Sequence, residues 1–151
     1  MYLLLKLLHL LAVVMFLGNI TTGLFWHRHA WRTRDPKLLA HTVSGIIRAD
    51  RLFTTPSVLI LAVAGIAAAI VAGFSLLRTG WILWTIVLFV ISGFIFGTRL
   101  APLQRQMLAA ASASSFDAEA YARLATRWET AGAIAVATPL MGFVLMVLKP
   151  I

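Results

Sequence analysis

The stretch FTTPSVLILAVAGIAAAIVAGFSLLRTGWILWTIVLFVISGFIFGTRL, residues 53–100, carries only two charged side chains, Arg78 and Arg99. The turn Arg78-Thr79-Gly80 divides it into two apolar runs, about 53–77 and 81–100. As a helix rising 1.5 Å per residue, a run of about 20 residues crosses the roughly 30 Å hydrocarbon core of a bilayer. Two such runs in succession decide the fold class: these are membrane-spanning helices.

Two more runs flank this pair. One extends from about Tyr2 to Trp26, broken only by Lys6 and His9, and one from about Thr130 to Leu148. The whole chain agrees. Of its 151 residues 61% are hydrophobic and 12% charged, against about 45–50% and about 25% in soluble domains; mean hydropathy is +0.93. A chain this short has no interior able to hide so much apolar surface, so lipid must cover it. The expectation is one all-α domain, 1–151, an integral membrane four-helix bundle. The first run lacks a preceding basic segment and is too long for a cleaved signal peptide. With no cysteine, disulfides, thiolate metal sites, iron–sulfur clusters and cysteine nucleophiles are excluded.

The basic residues set the orientation. Arg28, Arg32, Arg34, Lys37, Arg48 and Arg51 lie between spans one and two, and Arg99, Arg105, Arg123 and Arg127 between spans three and four. Only Arg78, Lys149 and Lys6 fall toward the other side. The positive-inside rule then places both basic loops in the cytoplasm and both termini outside. This distribution accounts for the net charge of +8 without nucleic acid, for which neither a folded basic domain nor a basic arm is present.

Asp35-Pro36 reads as a helix start, with an acidic cap and proline at the first position. Leu38, Leu39, Thr42, Val43, Ile46 and Ile47 recur at helical spacing behind it. That predicts a short amphipathic helix along the cytoplasmic interface, running toward span two with only Pro56 in the way. Ala109–Ser115 reads as a flexible patch. Ser114 or Ser115 would then cap a cytoplasmic extension of helix four, which enters the membrane near Trp128. Small residues every fourth position (Gly65, Ala69 and Gly73; Gly93 and Gly97) suggest close helix packing. The short turn predicts that spans two and three are antiparallel neighbours. Pro139 should kink helix four or open a carbonyl.

His9 is the residue most open to chemistry, because an ionisable group inside a span is costly and normally faces the bundle with a partner. Val13, Phe16 and Ile20 continue its face as an apolar wall. Two readings stand: a haem iron ligand, or a neutral histidine hydrogen-bonded between helices. In the haem reading Lys6, Arg51 or Arg99 would hold a propionate. Met141 matches the depth of His9 and is the candidate second ligand, although iron with one protein ligand serves equally. His27 and His29 point apart on a helix; with His41 and Asp35 they are better read as interfacial side chains than as a metal site. Asp50, Arg51, Arg99, Arg127 and Glu129 predict an ion-pair network at the helix ends, or with Arg51 or Arg99 an anion site for lipid phosphate. Asn19 and Thr22 suggest interhelical hydrogen bonds. Hydrolase and kinase chemistries lack their motifs.

Several of these segments resemble a known superfamily. Lys6-Leu7-Leu8-His9 resembles the Lys-x-x-His start of the HemJ protoporphyrinogen oxidases and of copper-resistance protein D membrane domains. Gly80-Trp81, Arg127-Trp128-Glu129 and Lys149-Pro150 look like HemJ's Gly-Trp, its Arg…Asn-Glu and its Lys-Pro-Phe end. Arg48-Ala49-Asp50-Arg51-Leu52-Phe53-Thr54 is similar to the Arg-x-Asp-Arg-Leu-Phe-Thr stretch of a bacterial family of predicted four-helix integral membrane proteins in that superfamily. The resemblance implies a bacterial inner-membrane protein and haem b bound through His9. HemJ's helix-three His and Lys are replaced by Leu83 and Thr85, and its Tyr-His pair is missing, so the resemblance implies haem binding through His9 but leaves the oxidase activity open. The leading expectation is a haem-b-binding membrane protein of redox or sensing type, an oxidoreductase if an enzyme. The alternative is a non-catalytic accessory subunit, as a homo-oligomer or within a larger membrane complex.

Overall fold

The computed structural model describes residues 1–149; Pro150 of the Lys149-Pro150 motif lies outside the described residues. The described residues form α1 (Tyr2–Trp31), α2 (Pro36–Ala49), α3 (Thr55–Val71), α4 (Gly80–Ile95), α5 (Ala101–Ala111) and α6 (Ala118–Leu148). A π-turn, Asp50–Thr54, fuses α2 to α3, and a second, Phe96–Leu100, fuses α4 to α5. Four continuous helices long and apolar enough to cross a membrane result. The chain is an all-helical integral membrane bundle, as the sequence predicts.

Both π-turns have the same cause. Pro56 and Pro102 sit one residue past the first position of α3 and α5. Proline lacks an N–H and its ring clashes with the carbonyl four residues back. Widening the preceding turn relieves the clash: Thr55 N–H donates to Asp50 O and Ala101 N–H to Phe96 O, five residues back in each case. The helix continues with a changed direction instead of ending.

That change of direction sets the packing. Beyond the π-turns α3 lies along α1, and α4 lies along α6. No Cα of α3 comes within 8 Å of one on α4, so the two spans joined by the short turn are not neighbours. This corrects the expectation from turn length. On the other side of the π-turns α2 packs on α5, and α5 on α6, around Leu39, Val43, Met107 and Tyr121, each 0–1% exposed. The tight core is thus at the basic end. The membrane half consists of two helix pairs whose outer faces, with Leu3, Val14, Leu59, Val63, Val90 and Phe94 exposed, suit lipid.

Boundaries shift for local reasons. α1 runs past Trp26 to Trp31, and α4–α5 runs on to Ala111, shortening the patch expected to be flexible. α3 stops at Val71, because Gly73 (φ +78°) takes the left-handed conformation while Phe74 N–H closes on Ala69 O. Asp117, not Ser114 or Ser115, caps α6, accepting from the N–H groups of Glu119 and Ala120. Of the small-residue positions, Gly65 lies against His9, whereas Gly93 and Gly97 face open space. The α4–α6 contact instead uses Gly142, where an added Cβ would lie 3.1 Å from Thr85 Cγ2.

Pro139 opens a carbonyl, as expected. It cannot bond Ala135 O four residues back, and the Ser92 hydroxyl donates to that oxygen at 2.6 Å. Removing the hydroxyl from this buried pair should cost about 1–3 kcal/mol by leaving the carbonyl unpaired. Ser92→Ala should therefore lower the unfolding midpoint in detergent, and Pro139→Ala, which restores the backbone donor, should recover most of that loss. Equal midpoints for Ser92→Ala and wild type would contradict the assignment.

Candidate binding site

The π-turn at residues 50–54 brings Asp50 to the place where the two helix pairs diverge. Its carboxylate is only 7% exposed. Asn19 Nδ2 on α1 donates to Oδ1 at 3.1 Å, Thr54 Oγ1 donates to the same oxygen at 2.9 Å, and Gln104 Nε2 on α5 donates to Oδ2 at 2.8 Å. Asn19 also donates to Thr54 Oγ1 at 2.8 Å. Three helices are thereby tied to one carboxylate. Among the described residues no Lys or Arg nitrogen lies within 4 Å of it. Each hydrogen bond to a charged group contributes about 1.5–3 kcal/mol, which offsets desolvation but supplies no countercharge.

This knot lies on the wall of a cavity of about 290 Å³ reached by all four spanning helices. Its lining is mostly apolar. Phe16 from α1, Phe89 and Phe96 from the fourth helix and its π-turn, and Trp128 from α6 supply aromatic rings. Gly93 leaves room on the α4 side. Trp128 is 4% exposed, and its indole N–H has no partner among the described residues. A second cavity, between α1 and α2, shares Asn19, Gly23 and Ile46 with the first and is lined further out by Trp26, His41 and Thr42.

A second polar cluster ties α1 to α6. His27 is fully buried, with Nδ1 3.3 Å from Glu129 Oε1 and Nε2 3.1 Å from the Tyr121 hydroxyl. A carboxylate only accepts, so Nδ1–H donates to Glu129 and the Tyr121 O–H donates to Nε2. Arg28 Nε donates to the other Glu129 oxygen at 3.1 Å. Every polar atom of the histidine ring is used, which marks this cluster as a joint between helices.

The predicted network of charges is therefore replaced by two separate clusters. Asp50 takes neutral donors and Glu129 takes His27 and Arg28, while Arg51, Arg99 and Arg127 are exposed. Asn19 makes the interhelical bonds expected of it; Thr22 is exposed. His27 departs from the interfacial reading, whereas His29 and His41 are exposed. Gln104 lies beyond the third apolar run, where Pro102 at the second helical position and residues 103–111 without a breaker are the signals for α5.

The haem candidates do not converge. His9 Nδ1 donates to Leu61 O at 2.9 Å, pinning α1 to α3, and its ring sits where a Cβ on Gly65 would lie 2.7 Å from Nδ1. Its Nε2 has no partner among the described residues, which suits a ligand, but His9 is not on the lining of the central cavity. Met141 is 54% exposed on α6, a helix that α1 approaches near Leu24 and Gly132. Lys6, one turn before His9 on α1, is exposed, as are Arg51 and Arg99. No group of three or more His, Cys, Asp or Glu side chains placed to hold a metal occurs among the described residues. Among the described residues the central cavity is lined by no His or Met, and His9, two turns before the lining residue Phe16 on the same face of α1, lies outside that lining.

The His9–Gly65 contact is testable as a pair. Gly65→Ala should destabilise by about 1–3 kcal/mol through overpacking, and much less in a His9→Ala background, where the ring is gone. An equal cost in both backgrounds, read from detergent unfolding, would refute the contact.

No curated protein and no solved structure matches the chain. A family model, described as predicted integral membrane protein (DUF2269), matches residues 3–150. With nearly the whole length matched and four apolar helices in place, the chain belongs to the DUF2269 family of integral membrane proteins.

Proposed function

We propose that the protein is a membrane-embedded binding protein that holds a small lipophilic molecule in the cavity between its two helix pairs. Its setting is a bacterial inner membrane, with the basic end in the cytoplasm. The observation that carries this reading is the cavity of about 290 Å³ lined by all four spans, with a buried carboxylate on its wall. Interiors normally close-pack, and a mostly apolar pocket with a few polar groups is the usual form of a ligand site. The side cavity that shares Asn19, Gly23 and Ile46 supplies an approach between α1 and α2. Native mass spectrometry of protein taken from its own membranes tests this. Wild type should retain a small bound molecule. Gly93→Phe, which fills the cavity where an added side chain meets open space, should lose it and keep its unfolding midpoint. A wild type without any retained molecule, or a Gly93→Phe variant that keeps it, would overturn the reading.

A second reading keeps haem b, with His9 as its one protein ligand. The bond from Nδ1–H to Leu61 O favours it, because that bond fixes the tautomer with the lone pair on Nε2. Haem would supply redox or gas-sensing chemistry there, while Leu61 and Gly65 orient the ring. Absorption spectra of the purified protein, oxidised and then reduced, should show a Soret band and sharp reduced bands that His9→Ala abolishes. A colourless protein from haem-replete cells would remove this reading and leave His9 as a helix-pairing residue.

A further inference from the structure

Resting on the cavity reading, we infer that the ligand is an organic ammonium ion with apolar substituents, held by Asp50 as counter-ion and by the surrounding aromatic rings. The cavity decides among ligand classes by elimination. An anion would face the Asp50 carboxylate with no cationic side chain to receive it, since none lies within 4 Å among the described residues. A neutral lipophile would leave that carboxyl either charged without a counter-ion, at several kcal/mol, or obliged to take up a proton. A small hard cation needs about six to eight oxygen ligands, and this lining is mostly apolar.

An alkylammonium ion answers each objection. Its charge pairs with Asp50, and its carbon substituents suit an apolar wall. Phe16, Phe89, Phe96 and Trp128 all line the cavity, and the faces of such rings attract ammonium ions. Phe16 and Phe89, from different helix pairs, meet edge to face with centroids 6.0 Å apart, so the aromatic lining bridges the divide between the pairs. The volume of about 290 Å³ takes on the order of ten water-sized groups at roughly 30 Å³ each. That is the size of a small amine or of the ammonium end of a lipid headgroup. Arg51 and Arg99, one in each π-turn, are exposed and are not on the lining.

The test measures binding of benzyltrimethylammonium and of its uncharged isostere neopentylbenzene to the full chain in dodecyl maltoside, which carries no ammonium group. Wild type should bind the cation at least tenfold more tightly than the isostere. Asp50→Asn should remove that preference, Asp50→Glu should keep most of it, and Phe89→Leu should weaken the cation about tenfold while barely changing the isostere. Asp50→Glu guards against a fold that fails for want of the charge, and Phe89→Leu tests the site with the carboxylate intact. Displacement of the bound cation by dihexanoyl phosphatidylethanolamine would assign the site to a lipid headgroup; failure to displace it would assign a free amine. Equal affinity for cation and isostere, undiminished cation binding by Asp50→Asn, or no cation binding would overturn the inference. The cavity reading fails separately, on the molecule retained by wild type and by Gly93→Phe.

Discussion

A carboxylate taken out of water must be given donors, and the arrangement around Asp50 follows from that requirement. Its oxygens accept from Asn19 on α1, Thr54 in the π-turn and Gln104 on α5. Those bonds hold three elements at one point, where the membrane half opens into two helix pairs and the basic half closes into a packed core. An arginine there would complete an ion pair and close the site electrostatically, whereas neutral donors leave the negative charge available to the cavity.

The cavity itself is a consequence of proline placement. Pro56 and Pro102 each force a π-turn, and each turn redirects a long helix just where it passes from the basic end into the spans. α2 and α5 can then pack on one another while α3 and α4 part to join α1 and α6. Space between the pairs is bridged by rings, as in the Phe16–Phe89 contact, and by Trp128. On the α4–α6 side, close approach is secured by Gly142 beneath Thr85 and by Ser92 answering the carbonyl that Pro139 releases.

Much of this was legible before any coordinates. Hydropathy alone gives the four spans, because lipid permits little else. Asp35-Pro36 marks the start of α2, and the fate of the Ala135 carbonyl follows from Pro139. What the residues did not disclose was partner choice. A turn as short as Arg78-Thr79-Gly80 suggests adjacent helices, but the neighbours are set by π-turns at the far ends of the two spans, at Asp50–Thr54 and Phe96–Leu100. The glycine spacing of Gly93 and Gly97 misleads as well, since neither meets a neighbouring helix. Asp50 reads as a helix-end charge, and the arginines near it in sequence suggest ion pairs, whereas its partner Gln104 lies outside the apolar runs. His9 illustrates a different limit: a histidine in a span signals a partner, and the partner here, the Leu61 carbonyl, is a backbone atom that composition cannot reveal.

The central claim is the contact between α1 and the buried carboxylate, and the sequence makes it directly measurable. Asn19 is the only asparagine in the chain, and there are three aspartates, Asp35, Asp50 and Asp117. Solid-state NMR of membrane-reconstituted protein, with 15N in the asparagine side chain and 13C in the aspartate carboxyls, reads that single proximity. The account predicts that one of the three carboxyl signals is dephased by the asparagine nitrogen, at the separation set by the 3.1 Å hydrogen bond, and that Asp50→Asn removes this signal. Three carboxyl signals that all ignore the label would contradict the knot, and with it the placement of the cavity.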